Sequence, residues 1–264
     1  MGRESQPKIE VPHFRQNDIM IIVTGLTGSG KSNFINNLPD CDNKHMAVGD
    51  TLTPCTTKIE YKILDPIQEF MPHLNLHARR LIIVDTPGFN NKGLTDTQIL
   101  RDIVNWVDKS RVGEIAGVIY LYNISQDKFS SISKVDLTAL HATFHKSEYV
   151  FRKIALVTTK WSILSETSEG VTRENELKDI HWNTLIRDGS QTMRFDDSPI
   201  SAWEIVSAIL ARTGEDIFDI RKHLTELRKN LGDDKKGDNK KGILAKFQSF
   251  FGGWWGTADK KHAK

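Results

Sequence analysis

Eight consecutive residues near the start of the chain have the types and spacing needed to hold a polyphosphate. Gly25-Leu26-Thr27-Gly28-Ser29-Gly30-Lys31-Ser32 fits the pattern G-x-x-x-x-G-K-[ST],. Glycines at 25, 28 and 30 permit backbone torsions and a close approach that a Cβ would block. With Thr27 and Ser29 completing the loop, the exposed N–H groups from Gly28 to Asn33 can surround phosphate oxygens, backed by the dipole of a following helix. Lys31 would bring a point charge to the β- and γ-phosphates, and the Ser32 hydroxyl is placed to ligate Mg²⁺. The bland alternative, a glycine-rich turn with no ligand, fits poorly with the buried-type apolar run that precedes it.

Two further segments suit the same chemistry. Asp85-Thr86-Pro87-Gly88 directly follows the apolar run 81–84. A carboxylate at the end of a strand parallel to the phosphate-loop strand can support Mg²⁺, and Gly88 offers an unobstructed N–H to a γ-phosphate. Between the two lies the hydroxyl-rich stretch 48–57, in which Thr56 is the first choice for a ligand that closes on Mg²⁺ and Thr53 the second. The cluster expected to act on phosphate is thus Lys31, Thr56 and Gly88, with Ser32, Thr56 and Asp85 around the metal.

These groups need a scaffold. The segment 19–24 is apolar on both faces, as expected of a strand covered on both sides. Residues 81–84, 118–122 and 154–157 read as further buried strands, 192–195 as a short last one, and the alternating segment 59–64 as an edge or half-exposed strand. Helical spacing marks 33–38, 96–107, 134–144, 201–211 and the amphipathic stretch 216–231. Alternation of strands and helices predicts a three-layer α/β fold with a mostly parallel sheet and a helical C-terminal extension. The organisation expected is an N-terminal extension (1–18), a main domain (19–212), an amphipathic helix (213–231) and a basic, aromatic tail (232–264).

Composition narrows the partners. With 264 residues and 38% hydrophobic content, the chain can bury a core without staples,. Its two cysteines are too few for a disulfide scaffold and suggest a reducing, cytoplasmic setting,. No secretion signal or spanning segment is expected from the hydropathy pattern. From residue 232 onward eight lysines face four aspartates, so a net charge of +2 hides a near-neutral body. That distribution argues against a nucleic-acid-binding surface.

On these motifs the chain resembles P-loop GTPases of the translation-factor-related class. It is most similar to the septin-like branch that holds the immunity-associated GTPases and their fungal G-domain relatives. The residues that carry the likeness are Gly25 to Ser32, Thr53-Pro-Cys-Thr-Thr57, Asp85-Thr-Pro-Gly-Phe89, Thr158-Thr159-Lys160-Trp161, and, for the fungal relatives, Met193 to Val206. The resemblance implies binding of GTP and GDP with Mg²⁺, a base contact through Thr159, Lys160 and Trp161, and association of two copies across the nucleotide face. Two positions depart from it. The usual [N/T]-K-x-D motif ends here in Ser162, which weakens discrimination of guanine. The position that in Ras-like enzymes holds a water-orienting glutamine is Phe89, which implies slow hydrolysis with help from elsewhere. Gln98, Arg101, Arg111 and His141 are unranked candidates for that help. The alternatives are an assembly or membrane scaffold with negligible turnover, an NTPase of relaxed base specificity, and a small-molecule kinase, for which no acceptor site or lid is evident.

Other signals are weaker. His141 and His145 lie one helical turn apart without the glutamate or third ligand of a zinc site, and Cys41, His45 and Cys55 lack a completing pair. In the tail, the aromatic segment 243–256 between lysines suits a membrane interface and, slightly better, docking on protein; Gly252-Gly253 argues against one continuous helix.

Overall fold

Every residue of β1 (Ile19–Gly25) is buried, as a strand sandwiched between two helical layers must be. The computed structural model describes residues 14–38, 46–47, 58–65, 79–89, 96–126 and 151–212. Five more strands accompany β1: β2 (Glu60–Leu64), β3 (Leu81–Asp85), β4 (Glu114–Asn123), β5 (Ile154–Thr159) and β6 (Gln191–Arg194). They form one sheet in the order β2-β3-β1-β4-β5-β6. All neighbours run parallel except β2, which is antiparallel to β3 and takes the edge its half-polar sequence predicts.

The period of two along each strand divides the core into two faces. Met20 and Ile22 of β1, Ile82 and Val84 of β3, and Ile154 and Leu156 of β5 point to one face. There they meet Ile99, Ile103, Trp106 and Val107 of α2 (Asp96–Ser110). Ile19, Ile21 and Val23, with Leu81, Ile83, Ala155 and Val157, point to the other. Phe34 and Ile35 of α1 (Lys31–Asn36) cover that side together with α5 (Pro199–Leu210), which contributes Ala202, Ile205, Val206 and Ile209. The result is the three-layer domain expected from the pattern.

Helix α5 starts where local chemistry dictates: the Ser198 hydroxyl accepts from the Ser201 N–H, and Pro199 occupies the first turn,. The segment between β5 and β6 holds structure that the periodicity did not reveal. It forms α3 (Thr167–Glu176), a π-helical turn (Leu177–His181) and α4 (Asn183–Arg187). In α3 only Gly170 and Glu174 are buried, so no apolar stripe marks it,. The expected helices at 134–144 and 213–231, the tail, Thr53 and Thr56, and the cysteine and histidine pairs lie outside the described residues. Among the described residues no helix is long and apolar enough to cross a membrane, and no group of three metal-ligating side chains occurs.

One ion pair fastens the start of β1 to β3. Asp18, fully buried, accepts from Arg80 Nε at 3.0 Å and Nη2 at 2.7 Å, and from the Arg15 N–H at 2.7 Å. Asp18→Ala would remove the Asp18 carboxylate from the largely buried Arg80 guanidinium. The expected outcome is a loss of about 3 kcal/mol of stability in urea unfolding; a loss below about 0.5 kcal/mol would show that water replaces the carboxylate at little cost.

Candidate nucleotide-binding site

The sheet places the sequence-predicted residues at one edge, where the parallel strands end. β1 runs into the phosphate loop at Gly25, whose neighbour across the sheet is Leu121. A Cβ at Gly25 would lie 2.3 Å from the Leu121 carbonyl oxygen, so only glycine allows the chain to turn there at φ 140°,. The loop closes onto α1 at Lys31, which is only 6% exposed. Its ammonium donates to the carbonyls of Leu26 at 3.0 Å and Gly25 at 3.3 Å, which holds it beneath the loop.

β3 delivers Asp85 to the same point. Ser32 Oγ donates to Asp85 Oδ2 at 2.6 Å, while the buried Asp85 Oδ1 has no partner. Burial pushes the Asp85 carboxyl from 3.8 up to about 6, against the lowering effects of the Ser32 hydrogen bond and the Lys31 charge,. An orphaned carboxylate oxygen beside a hydroxyl suits a hard divalent cation with oxygen ligands,. The donor set therefore fits Mg²⁺.

After β3 the backbone is clasped to the phosphate loop. Thr86 Oγ1 donates to the Val23 carbonyl at 2.9 Å. The Phe89 N–H donates to Gly25 O at 3.2 Å, and the Phe89 carbonyl accepts from the Thr27 N–H at 3.0 Å and from Thr27 Oγ1 at 3.1 Å. Gly88 lies so close that a Cβ there would meet the Thr27 backbone at 2.6 Å. The Phe89 side chain is buried in the core on that face of the sheet, opposite Leu26. Its presence is thus explained by packing, and it offers no polar atom to a reacting water.

The opposite rim is built by the end of β5. Thr159 Oγ1 donates to the Ser29 carbonyl at 2.8 Å, which ties this rim to the phosphate loop. Lys160 then takes a left-handed turn (φ 64°), and its stem lies by Gly30, where an added Cβ would be 3.8 Å from Lys160 Cε. Trp161 is fixed by protein contacts. Its indole N–H donates to Thr158 Oγ1 at 3.0 Å, Arg194 stacks on the ring at 4.2 Å, and Gly170 packs against its edge. Behind it, Glu174 accepts from Arg194 at 2.6 and 2.9 Å and from Lys178 at 2.9 Å. Burial alone would raise the Glu174 carboxyl, but those two cations together hold it below its ordinary value.

Neither Glu174 nor Asp197 stands out as a site residue in the sequence. Glu174 sits in a polar helix without a motif. Asp197 belongs to the 193–206 stretch used only as a family mark, yet it accepts from Asn33 Nδ2 at 2.7 Å and from Ser162 Oγ at 3.0 Å. Of the candidates for assisting hydrolysis, Arg111 lies just before β4, at the edge of the sheet where the strands begin and opposite the phosphate loop.

Fold and site together define a P-loop nucleotide-binding G domain. A family model described as 50S ribosome-binding GTPase matches residues 20–160, and the chain belongs to that family. No curated protein matches the chain. Among solved structures it is similar to Toc33 from Arabidopsis thaliana in a dimerization-deficient mutant form, with a TM-score of 0.56 and 17% identity, covering 76% of this chain and 86% of that one. Toc33 in complex with GDP and Mg²⁺ gives 0.53 and 17%, covering 75% and 86%. A structure concerned with the importance of dimerization for the GTPase activity of the chloroplast translocon components atToc33 and psToc159 gives 0.54 and 17%, covering 77% and 86%. At such identities the likeness establishes the shared fold.

Proposed function

We propose that this chain is a Mg²⁺-dependent guanine-nucleotide switch of the septin-like branch, with slow GTP hydrolysis that is promoted by self-association across the nucleotide face. The observation that carries the reading is the junction of Lys31, Ser32 and Asp85 at the end of β1 and β3, with one Asp85 oxygen buried and unpartnered. In this reading Ser32 and Asp85, with Thr56 from the segment before β2, hold Mg²⁺, which neutralises phosphate charge when bound. Lys31 leaves the loop carbonyls for the β- and γ-phosphates, and the Gly88 N–H meets the γ-phosphate. Slow turnover follows from Phe89, whose side chain is committed to the core.

Self-association is favoured by two further facts. Ile163 and Ile200 are largely exposed beside the Ser162–Asp197 contact and give that rim an apolar character,. In addition, dimerization matters for GTPase activity in the similar chloroplast translocon components. A cytoplasmic setting rests on the low cysteine count, and peripheral membrane contact through 243–256 on tryptophan and lysine content alone,.

The test is calorimetric titration of GTP, GDP and ATP, with and without Mg²⁺, together with phosphate release at rising protein concentration. GTP and GDP should bind tightly only with Mg²⁺ present for GTP, and the rate per chain should climb with concentration. Equal ATP binding would replace the switch by a general NTPase. A concentration-independent rate would remove self-association from the mechanism.

A further inference from the structure

The base-side motif Thr159-Lys160-Trp161-Ser162 lacks the carboxylate that guanine selection ordinarily needs, but a carboxylate stands beside it in space. Asp197 follows β6, whose register against β5 pairs Arg194 with Thr158. The Phe195 N–H then donates to the Thr158 carbonyl at 2.9 Å, so the chain after β6 is delivered to the base-side loop. The two neighbouring aspartates have separate tasks there. Asp196 accepts from the Ser198 N–H at 3.1 Å, and its hydrogen bonds with Ser198 and Ser201 keep its carboxyl below the ordinary value. It is thereby committed to the turn that opens α5.

Asp197 is turned the other way by a left-handed backbone (φ 64°), an uncommon state for a residue other than glycine,. Its Oδ1 accepts from Asn33 Nδ2 in the first turn of α1, next to Ser32. Its Oδ2 accepts from the Ser162 hydroxyl, the side chain at the position where the motif would have its own carboxylate. Asp197 therefore spans from the phosphate-loop helix to the base-side loop. It remains partly exposed, so a ligand can reach it.

The chemistry decides what such a group selects. Guanine presents two adjacent donors, N1–H and the N2 amine, which match the two oxygens of a carboxylate. Adenine presents the N1 lone pair in that place, which a carboxylate repels. A serine hydroxyl alone separates the two poorly, because neutral hydrogen bonds are weaker than charge-assisted ones. We propose that Asp197, positioned by Asn33 and Ser162, reads the guanine edge in this chain in place of the carboxylate missing at 162. The inference rests on the nucleotide-binding reading of the phosphate loop and adds the residue that confers base specificity.

The experiment is calorimetric titration of the full chain, with Mg²⁺, using GDP, xanthosine diphosphate and ADP. Wild type is compared with Asp197→Asn, Asp197→Ala and the double variant Asp197→Ala/Ser162→Asp. Asparagine tolerates the left-handed backbone, so the first substitution keeps the local fold. Its amide can donate to the O2 carbonyl of xanthine and accept from N1–H. Asp197→Asn is expected to weaken GDP about tenfold or more, to bind xanthosine diphosphate more tightly than wild type does, and to leave ADP nearly unchanged. A gain of affinity cannot come from an unfolded chain. In the double variant, a carboxylate restored at 162 should recover the preference for GDP over ADP that Asp197→Ala loses. GDP affinity within about twofold of wild type in Asp197→Asn would overturn the role of Asp197 while leaving the phosphate site intact. Equal binding of GDP and ADP by wild type would also overturn it, since no base would then be selected. Failure of wild type to bind any of the three would overturn the nucleotide reading itself.

Discussion

Lys31→Ala is expected to lower the affinity for GTP and GDP by about a hundredfold or more, while the nucleotide-free protein stays folded. The side chain is nearly buried and its ammonium donates to two carbonyls of its own loop. Those two bonds are between a cation and neutral acceptors. A polyphosphate offers the same ammonium anionic oxygens, and each charge-assisted bond contributes about 1.5–3 kcal/mol. The loop contacts they replace are charge-assisted as well, so the net gain is the attraction between opposite charges, about 3–4 kcal/mol near an effective dielectric of about 20, or two to three powers of ten in Kd. In the absence of nucleotide the substitution removes a buried charge along with two hydrogen bonds, so the change in stability is small by comparison. The readout is the thermal midpoint with and without nucleotide. For wild type at a concentration 100-fold over Kd, binding adds about 2.7 kcal/mol, which raises Tm by about 5–10 °C in a domain of this size. The variant should show the wild-type midpoint within a few degrees and almost no upward shift on adding GDP. A shift as large as that of wild type would show that the ammonium does not meet the phosphates.

How much of this could be read from the residues depends on whether a feature is local in the chain. β1, the phosphate loop and α1 form one continuous strand–loop–helix unit, and their residue types alone carry the geometry. Asp85 was legible for a related reason: an apolar run ending in a carboxylate marks the edge of a buried strand. β2 was also legible, because its alternation of polar and apolar residues suits an edge. What stayed hidden is assembled across the chain. Asp197 meets Asn33 from 164 residues away and Ser162 from 35, and no spacing rule links those positions. The role of Phe89 has the same character. As a departure from a motif it told only what the residue cannot do, whereas its burial in the core and its backbone clasp on Thr27 explain what it does. Trp161 is a third case. An aromatic residue next to a base-side lysine suggests stacking on a ligand, yet the contacts that fix the indole come from Thr158, Arg194 and Gly170. These depend on α3, a helix with no apolar stripe to announce it.

Asp85→Asn is expected to separate metal binding from stability, with opposite signs. In the metal-free protein Asp85 is fully buried, its Oδ1 is unpartnered, and burial raises the carboxyl from 3.8 to about 6. A folded-state value above the unfolded one means that the folded protein holds the proton more tightly. The stabilising effect of protonation is complete below about 3.8 and is lost as the pH rises through about 6,. The interval corresponds to about 3 kcal/mol. Asparagine carries no charge to desolvate, and its carbonyl can still accept from Ser32 Oγ. Its amide nitrogen, however, replaces the orphaned oxygen as an unpaired buried group, at a cost of about 1–2 kcal/mol. In urea unfolding without Mg²⁺, the variant should therefore exceed wild type by about 1–2 kcal/mol at pH 7.5, and the difference should vanish or reverse near pH 4. Comparing the two proteins at each pH cancels the other carboxylates, including Glu174, whose lowered value acts in the opposite direction. With Mg²⁺ and GTP the order should invert. Wild type gains the binding free energy, whereas the variant, lacking an anionic oxygen at this position, should bind GTP about as weakly with Mg²⁺ as without it. Unchanged Mg²⁺ dependence in Asp85→Asn would move the metal away from this carboxylate, and a stability difference that does not vary with pH would show that the buried oxygen is solvated in the free protein. The two readouts are independent. Together they test whether the charge that destabilises the empty domain is the one that holds the cation in the loaded one.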